Sequence, residues 1–384
     1  MGCRQGCGDS SHGPLRARRA NGGRGLRSAP QRRRARGLPL DHRHHQVDRS
    51  NLEARGLCRR IILGRRQRVR ALVIDDGKLR FEERSTPTPE ADQVLVEVAS
   101  AGLNRADIMQ MRGMYPAPPG WPPDVPGLEF AGTVAAIGNG VKSLREGDRV
   151  FGIVGGGGHA TQLITKEDLC SPVPGGLDMV VAGGVPEAFV TAHDALVTQG
   201  GLRPGQRVLI HGVGSGVGTA AVQVARLLGA TTVGTSRTEA KLLRAAELGL
   251  HEGVIASETM ADEIDEVDVV IDLIGGDYLA TDVRVCRSRG RIIIVGLLAG
   301  ANATLDMRTV LSKRLTIRGT TLRARPDYEK ALAARAFERE VLPLLARGDA
   351  RVVVDKVFML DDANAAYEHM VTNEGYGKTI IECG

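Results

Sequence analysis

Aromatic side chains are scarce in this chain, with one Trp, five Tyr and six Phe in 384 residues. Glycine is plentiful, at 49. Together with many short Val and Ile runs, this balance points to an α/β protein with tight turns and away from a helical bundle. The cysteines Cys3, Cys7, Cys58, Cys170, Cys286 and Cys383 are scattered. Cys3 and Cys7 lie close together, but no second pair follows at zinc-site spacing. Neither a disulfide framework nor a zinc ribbon is expected, and a reducing cytoplasm is the expected location. No apolar run reaches about 18 residues, so no transmembrane helix is expected. The length suggests two or more domains.

Lysine is absent from residues 1–68, which hold 18 Arg against four acids, Asp9, Asp41, Asp48 and Glu53. The overall net charge of +6 is therefore misleading, because the leader carries +14 and the remainder −8. The leader has runs such as Gln31-Arg-Arg-Arg-Ala-Arg36 and no apolar periodicity. It cannot bury enough surface to offset its ordering entropy, and disorder is expected. It reads as an Arg-rich nucleic-acid arm, as an organelle transit peptide, or as a mis-set translation start or functionless leader. The last is favoured, since Arg without Lys resembles codon bias more than selected charge. The acidic remainder argues against unaided nucleic-acid binding.

From residue 69 the pattern is β-rich. Strands are expected at Arg70–Ile74, Val94–Ala99, Gly132–Ile137 and Arg149–Val154. The proline-dense loop Tyr115–Pro126 holds the single Trp. Near Pro186 the rhythm changes to alternating strands and helices, the signature of a parallel, helix-covered sheet. Expected elements are strand Arg207–Ile210, helix Val217–Leu228, strand Thr231–Thr235, helix Thr238–Leu248 and strands Val267–Leu273 and Gly290–Leu297. Beyond Pro326 a helix is expected over Ala331–Leu345, then Val352–Phe358 and the strand Lys378–Glu382.

Residues 211–218, HGVGSGVG, sit between a strand and an amphipathic helix. That is the βαβ context in which a helix N-terminus attracts a pyrophosphate. The glycines are misplaced for the usual fingerprint, because Val213 and Ser215 occupy two of its glycine positions when the run ends on Gly218. At the end of the second strand, dinucleotide sites that take NAD place an acid to accept from the ribose 2′-hydroxyl. Here Ser236 and Arg237 stand in its place, with Lys241 one helical turn on. Cations attract a 2′-phosphate, which argues for NADPH.

Several stretches then resemble one family, in one order along residues 69–384. They are Gly102-Leu-Asn-Arg-Ala-Asp107, Tyr115 with its proline loop, Pro126-Gly-Leu-Glu-Phe-Ala-Gly132, Pro186-Glu-Ala-Phe-Val-Thr191, the loop from His211, Asp272-Leu-Ile-Gly-Gly276, Gly296-Leu-Leu298 and Gly377-Lys378. The chain resembles the zinc-free quinone oxidoreductase (zeta-crystallin-like) branch of the medium-chain dehydrogenases/reductases, and within it the p53-inducible NADPH type. The resemblance implies an α/β fold in which a doubly wound parallel Rossmann sheet is inserted in a GroES-like β-rich catalytic domain. The catalytic domain would comprise residues 69–187 and 326–384, and the NADPH-binding insert residues 188–325, after the leader 1–68.

By the same resemblance, Ser215, Gly216, Val217 and Gly218 lie on the cofactor. Tyr115, Asn104 and Thr191 flank the nicotinamide and substrate cleft, with Tyr115, Asn104 and Ser215 as the catalytic set. Ile274, Gly296, Leu297, Leu298, Leu322 and Lys378 complete the implied NADPH contacts. Zinc relatives carry Gly-His-Glu where this chain has Gly127-Leu128-Glu129. They also have a Cys near the position of Asn104 and a four-Cys lobe. With those donors missing and His159 reading as a loop residue, no metal is expected. The expected reaction is hydride transfer to a quinone, with Tyr115 donating a hydrogen bond to the oxygen. An enoyl reductase acting on a conjugated C=C is the enzymatic alternative. A nucleic-acid-binding or crystallin-like protein that keeps the fold is the other. A homodimer or homotetramer without membrane association is expected. The family's Tyr after the third strand is missing from Gly253-Val-Ile-Ala256, and Ser257–Glu266 is short, which lowers the expected preference for NADPH.

Overall fold

The structure, a computed structural model, describes residues 68–384. The expectations for the Arg-rich leader lie outside the described residues. Strands β1 (Arg68–Asp75) and β2 (Lys78–Ser85) form an antiparallel hairpin. Its turn residues Asp76 and Gly77 both take positive φ, as a two-residue Asp-Gly connection requires.

Next come β3 (Gln93–Leu103), helix α1 (Arg105–Met111), β4 (Glu129–Ile137), β5 (Arg149–Ile153), β6 (Gln162–Lys166) and β7 (Cys170–Pro172). The one-turn helix α2 (Met179–Ala182) and helix α3 (Pro186–His193) lead out of this β-rich part. A π-helical turn, Asp194–Gln199, extends α3.

The nucleotide-type sheet contains β8 (Arg207–His211), β9 (Thr231–Ser236), β10 (Glu252–Ile255), β11 (Val267–Asp272), β12 (Cys286–Ile294) and β13 (Thr316–Gly319). Helices α4 (Gly216–Leu227), α5 (Glu239–Glu247), α6 (Tyr278–Val285) and α7 (Met307–Lys313) connect them. All pairings are parallel, in the order β10-β9-β8-β11-β12-β13. Counted within the insert, the order is 3-2-1-4-5-6. It reverses between β8 and β11, and a crevice opens at the carboxyl ends of strands at such a point.

Helices α8 (Asp327–Glu340) and α9 (Leu342–Arg347) follow, then β14 (Val354–Met359), α10 (Ala363–Thr372) and β15 (Lys378–Glu382). The last two strands return to the first part. The seven-stranded sheet runs β14-β15-β3-β4-β5-β7, with β6 also on β3. Strand β15 lies antiparallel to β3, with Ile380 opposite Gly102. This return sets Lys378 beside Asn104, far away in sequence. The expected α/β architecture is present, with a parallel Rossmann sheet inserted in a GroES-like domain.

Two expected elements differ. The helix expected over Ala331–Leu345 breaks at Val341, because Pro343 opens α9 and cannot donate to the turn before it. The strand expected over Gly290–Leu297 runs from Cys286 and stops at Ile294. There the amides of Val295 and Gly296 turn onto the Asp272 carbonyl at the end of β11, which carries Leu297 and Leu298 out into solvent. Among the described residues, no helix is long and apolar enough to cross a membrane.

Candidate functional site

The glycine turn joins β8 to α4. Gly212 takes φ +68, a left-handed conformation that suits glycine. Gly218 sits where a Cβ would come within 2.3 Å of the Gly212 carbonyl oxygen, so only glycine lets α4 pack this close to the strand. Ser215 is the N-cap of α4. Its Oγ accepts from Gly218 N at 3.0 Å and donates to Gly212 O at 2.9 Å. The serine in a glycine's place thus replaces freedom with a cap, and its hydroxyl is committed to the turn. The first-turn amides of α4 that lack intrahelical partners face the crevice side of the sheet, where an anion is favoured. Gly377 N donates to Gly214 O at 2.9 Å, which stitches the segment before β15 onto the turn.

At the end of β9, Ser236 is buried and Arg237 is exposed. Lys241 follows on α5, and its Nζ donates to the Asn373 carbonyl at 2.7 Å. From the other wall, Arg105 at the start of α1 reaches the side-chain oxygen of the same Asn373. Among the described residues, none of Arg105, Arg237 and Lys241 has a carboxylate at ion-pair distance. Burial, with the charges of Arg112 and Arg237, pulls Arg105 below its ordinary range. Burial, with Arg237, pulls Lys241 down too. Three mutually repelling cations thus stand at one rim. Arg105 is the member that sequence reasoning missed, although it stands inside Gly102-Leu-Asn-Arg-Ala-Asp107.

The catalytic wall is built on a buried ion pair. Glu129, at the start of β4, is fully buried. Its Oε1 accepts from Lys378 Nζ at 2.5 Å and from Asn104 Nδ2 at 2.8 Å, and its Oε2 accepts from Glu187 N at 2.8 Å. Lys378 also donates to Asn104 Oδ1 at 2.7 Å and Leu103 O at 3.3 Å. Its three donor positions are thereby filled. Both ends of the Asn104 amide are likewise engaged within the wall. Lys378 and Asn104, expected at the cofactor and the cleft, thus have their polar groups bonded to Glu129 and to each other. The Lys378 stem lies where a Cβ on Gly216 would come within 2.4 Å, so the pair abuts the glycine turn.

Tyr115 sits half-buried at the cleft, with its hydroxyl 3.0 Å from Thr321 Oγ1. Arg323, missed in the sequence, holds this loop. Its buried guanidinium lies over the Tyr115 ring, donates to the Tyr115 carbonyl at 2.7 Å and Gly155 O at 2.9 Å, and binds Gln110. Thr191 on α3 is buried, and its Oγ1 has no hydrogen-bond partner among the described residues. Glu187 stands one turn earlier, on the same face of α3. Burial and the nearby Glu129 carboxylate push Glu187 up to about 8.

The remaining expected residues are placed as follows. Val217 lies in the first turn of α4. Ile274, after β11, has its amide on Asp272 Oδ1 at 2.7 Å and its side chain over Gly212. Gly296 packs against the Leu273 backbone. Leu297 and Leu298 are exposed at the end of β12, at the same sheet edge. Leu322 is buried in the large core, between Thr321 and Arg323, which both contact Tyr115. His159 lies in the loop between β5 and β6, as expected, and there it is fully buried with Nδ1 3.0 Å from the Tyr367 hydroxyl. Burial holds its imidazole below the ordinary range.

The zinc-binding dehydrogenase family matches residues 216–336, and the alcohol dehydrogenase GroES-like domain matches residues 90–200. A component of the phenolphthiocerol/phthiocerol polyketide synthase of Mycobacterium tuberculosis is 33% identical over 90% of this chain. The chain spans 16% of the length of that relative. The quinone oxidoreductase of Sus scrofa is 30% identical over 77% of this chain and 90% of its own length. The crystal structure of CurK enoyl reductase superposes with TM-score 0.73 and 26% identity, covering 83% of this chain and all of that one.

A zinc ion does not fit the residues at the catalytic wall. Leu128 has no donor atom, Asn104 and His159 are engaged within the protein, and the Glu129 carboxylate is already neutralised by the Lys378 ammonium. Among the described residues, no group of three or more His, Cys, Asp or Glu could hold a metal ion. No step is therefore derived through zinc.

Proposed function

The chain belongs to the medium-chain dehydrogenase/reductase superfamily, on its quinone oxidoreductase branch, and from that premise we propose that it is an NADPH-dependent, metal-independent quinone reductase. The observation that carries this reading is the pairing of an anion-binding rim with a catalytic wall whose charged groups can move protons but offer no metal-ligand set. Such a site suits an acceptor that is already electrophilic. A quinone is one, because reduction makes it aromatic.

The nicotinamide nucleotide, when bound, supplies two electrons as a hydride. The glycine turn, with Gly216 and Val217 at its helix start, would take the pyrophosphate. Arg237, Lys241 and Arg105 would take phosphate charge, including the 2′-phosphate next to Ser236. The unpartnered Thr191 hydroxyl would hold the nicotinamide amide, and Ile274 and Gly296 would line the crevice edge. Tyr115, freed from Thr321, would donate to the substrate oxygen as charge develops there. Arg323 fixes that tyrosine, and Asn104 and Lys378 fix Glu129. The protein's work is mainly alignment of donor and acceptor.

The similarity to a polyketide synthase and to an enoyl reductase supports a second reading, reduction of a conjugated C=C next to a thioester. The same site would suit either flat, conjugated carbonyl. Steady-state rates with 1,2-naphthoquinone and with a 2-enoyl thioester, each with NADPH and NADH, separate the readings. Faster turnover of the quinone with NADPH is expected, and turnover of the thioester alone reverses the order. We also propose a homodimer joined at the β13 edge, where no further strand pairs among the described residues and neighbouring α7 exposes Leu311 at 80% and Met307 at 65%. A monomer by sedimentation would overturn that part. Nucleic-acid binding rests on the leader alone. Unchanged RNA affinity after deletion of residues 1–68 would remove it.

A further inference from the structure

The catalytic wall holds one acidic side chain that the reading above does not use. Glu187 lies in the first turn of α3, and its backbone is locked in place because its amide donates to Glu129 Oε2. Its carboxyl group has no hydrogen-bond partner among the described residues, and the residue keeps partial exposure. Four charged groups from four segments surround it: Glu129 on β4, Lys378 on β15, Asp107 on α1 and Arg323 after β13. Two of them mark the ends of the cleft. Lys378 abuts Gly216 of the nucleotide turn, and Arg323 backs Tyr115. The charges that act on Glu187 thus include one beside the glycine turn and one behind Tyr115. Thr191, four residues on, presents its unpartnered hydroxyl on the same helix face.

The electrostatics of the wall are lopsided. The Lys378 charge is taken up by Glu129 at 2.5 Å and cannot fully serve a second carboxylate. Asp107 spends its oxygens on Gly127 N and Asn104 N. Ionising Glu187 would put another negative charge beside two existing ones, and burial opposes it further. The carboxyl group is thus kept neutral at neutral pH, while its partial exposure leaves a route for solvent protons.

We propose that Glu187 is the proton donor to the substrate, a role that deepens the hydride-transfer reading and rests on it. As the hydride of the reduced nicotinamide nucleotide forms a new bond to the acceptor, both electrons of the reduction enter the substrate. The Glu187 O–H bond breaks, its electron pair stays on the carboxylate, and its proton goes to the substrate oxygen carrying the new charge. In the C=C reading, the proton goes to the carbon next to the carbonyl. The substrate would thereby gain one hydride, which the bound nucleotide would supply on being oxidised, and one proton, and Glu187 would take a proton back from solvent.

The test compares the wild type with Glu187→Gln, which keeps shape and neutrality but has no transferable acid proton, and with Glu187→Asp, which keeps the acid. General-acid roles are worth roughly 10²–10⁴-fold. Glu187→Gln should lower kcat by about 100-fold or more at pH 6.5 and lose the solvent deuterium isotope effect. Its Kd for NADPH, read by nucleotide fluorescence, should stay within about twofold. Wild-type kcat should fall above pH 8, whereas Glu187→Gln should have no such limb, and Glu187→Asp should restore part of the rate. A difference infrared titration of the nucleotide-free protein reads the same group directly. The protonated-carboxyl band absent from Glu187→Gln should vanish with a midpoint near 8. Wild-type turnover with an indifferent Glu187→Gln, or an ordinary carboxylate midpoint in the infrared, overturns the proton-donor role and leaves the functional reading standing. A wild type that reduces neither acceptor class overturns that reading, and the donor role with it.

Discussion

The two walls of the cleft are made differently. The nucleotide wall is made of backbone: a glycine turn, a capped helix start and the ends of parallel strands, all close in sequence. The catalytic wall is made of side chains that meet from afar. Lys378 reaches Glu129 across 249 positions, and Arg323 reaches Gln110 across 213. A backbone site is written locally, in glycines and caps. A side-chain site is written only in the fold that brings its members together.

The difference can be broken first at Lys378. Lys378→Met strands the fully buried Glu129 carboxylate, and losing one partner of such a pair costs about 3–5 kcal/mol in denaturant unfolding. Glu129 would then be protonated more readily folded than unfolded. The folded state would bind more protons, so the loss should shrink as pH falls towards the ordinary carboxylate range. The double variant Lys378→Met/Glu129→Gln should recover much of the stability. Full wild-type stability in Lys378→Met would show that the wall does not depend on the pair.

The rim comes next. Arg237→Ala and Lys241→Ala should each raise the KM for NADPH about tenfold, the equivalent of ~1.4 kcal/mol, and leave NADH nearly unchanged. Equal effects on both nucleotides contradict the 2′-phosphate role. The backbone wall should respond in stability more than in chemistry. Gly218→Ala forces a Cβ towards Gly212 O and should cost roughly 1–3 kcal/mol, seen as a lower midpoint in urea. Ser215→Ala removes the α4 cap and should cost about 1 kcal/mol, with a small change in kcat. A kcat loss far beyond the stability loss would support a catalytic role for Ser215.

The same contrast sets what the sequence reveals. The Rossmann insert is legible because strand and helix periods alternate and because HGVGSGVG lies between them. Even so, it takes the structure to show that Gly212 makes the turn, Gly218 the close approach and Ser215 the cap. Asn104 stands out in sequence as a catalytic residue and Lys378 as a cofactor residue, and the fold turns both towards Glu129 and each other. Glu187 and Arg105 lie inside stretches that draw attention for their neighbours Thr191 and Asn104. Nothing local marks them, since the meaning of a charge depends on which charges it meets. Arg323 has no signal in its surroundings, because its partners Gln110, Tyr115 and Gly155 belong to segments separated from it by the whole insert. His159 lies in a loop, as its glycine-rich setting suggests, but its burial does not show in the sequence, because Tyr367, also distant, closes over it.

Strand β15 carries this contrast into the order of synthesis. A ribosome releases β3, β4 and the whole nucleotide insert before the segment bearing Lys378. Until that segment docks beside β3, Glu129 has no cation to meet and gains more from water than from burial. The arrival of β15 supplies that cation and, through Gly377 N on Gly214 O, closes the same segment onto the glycine turn.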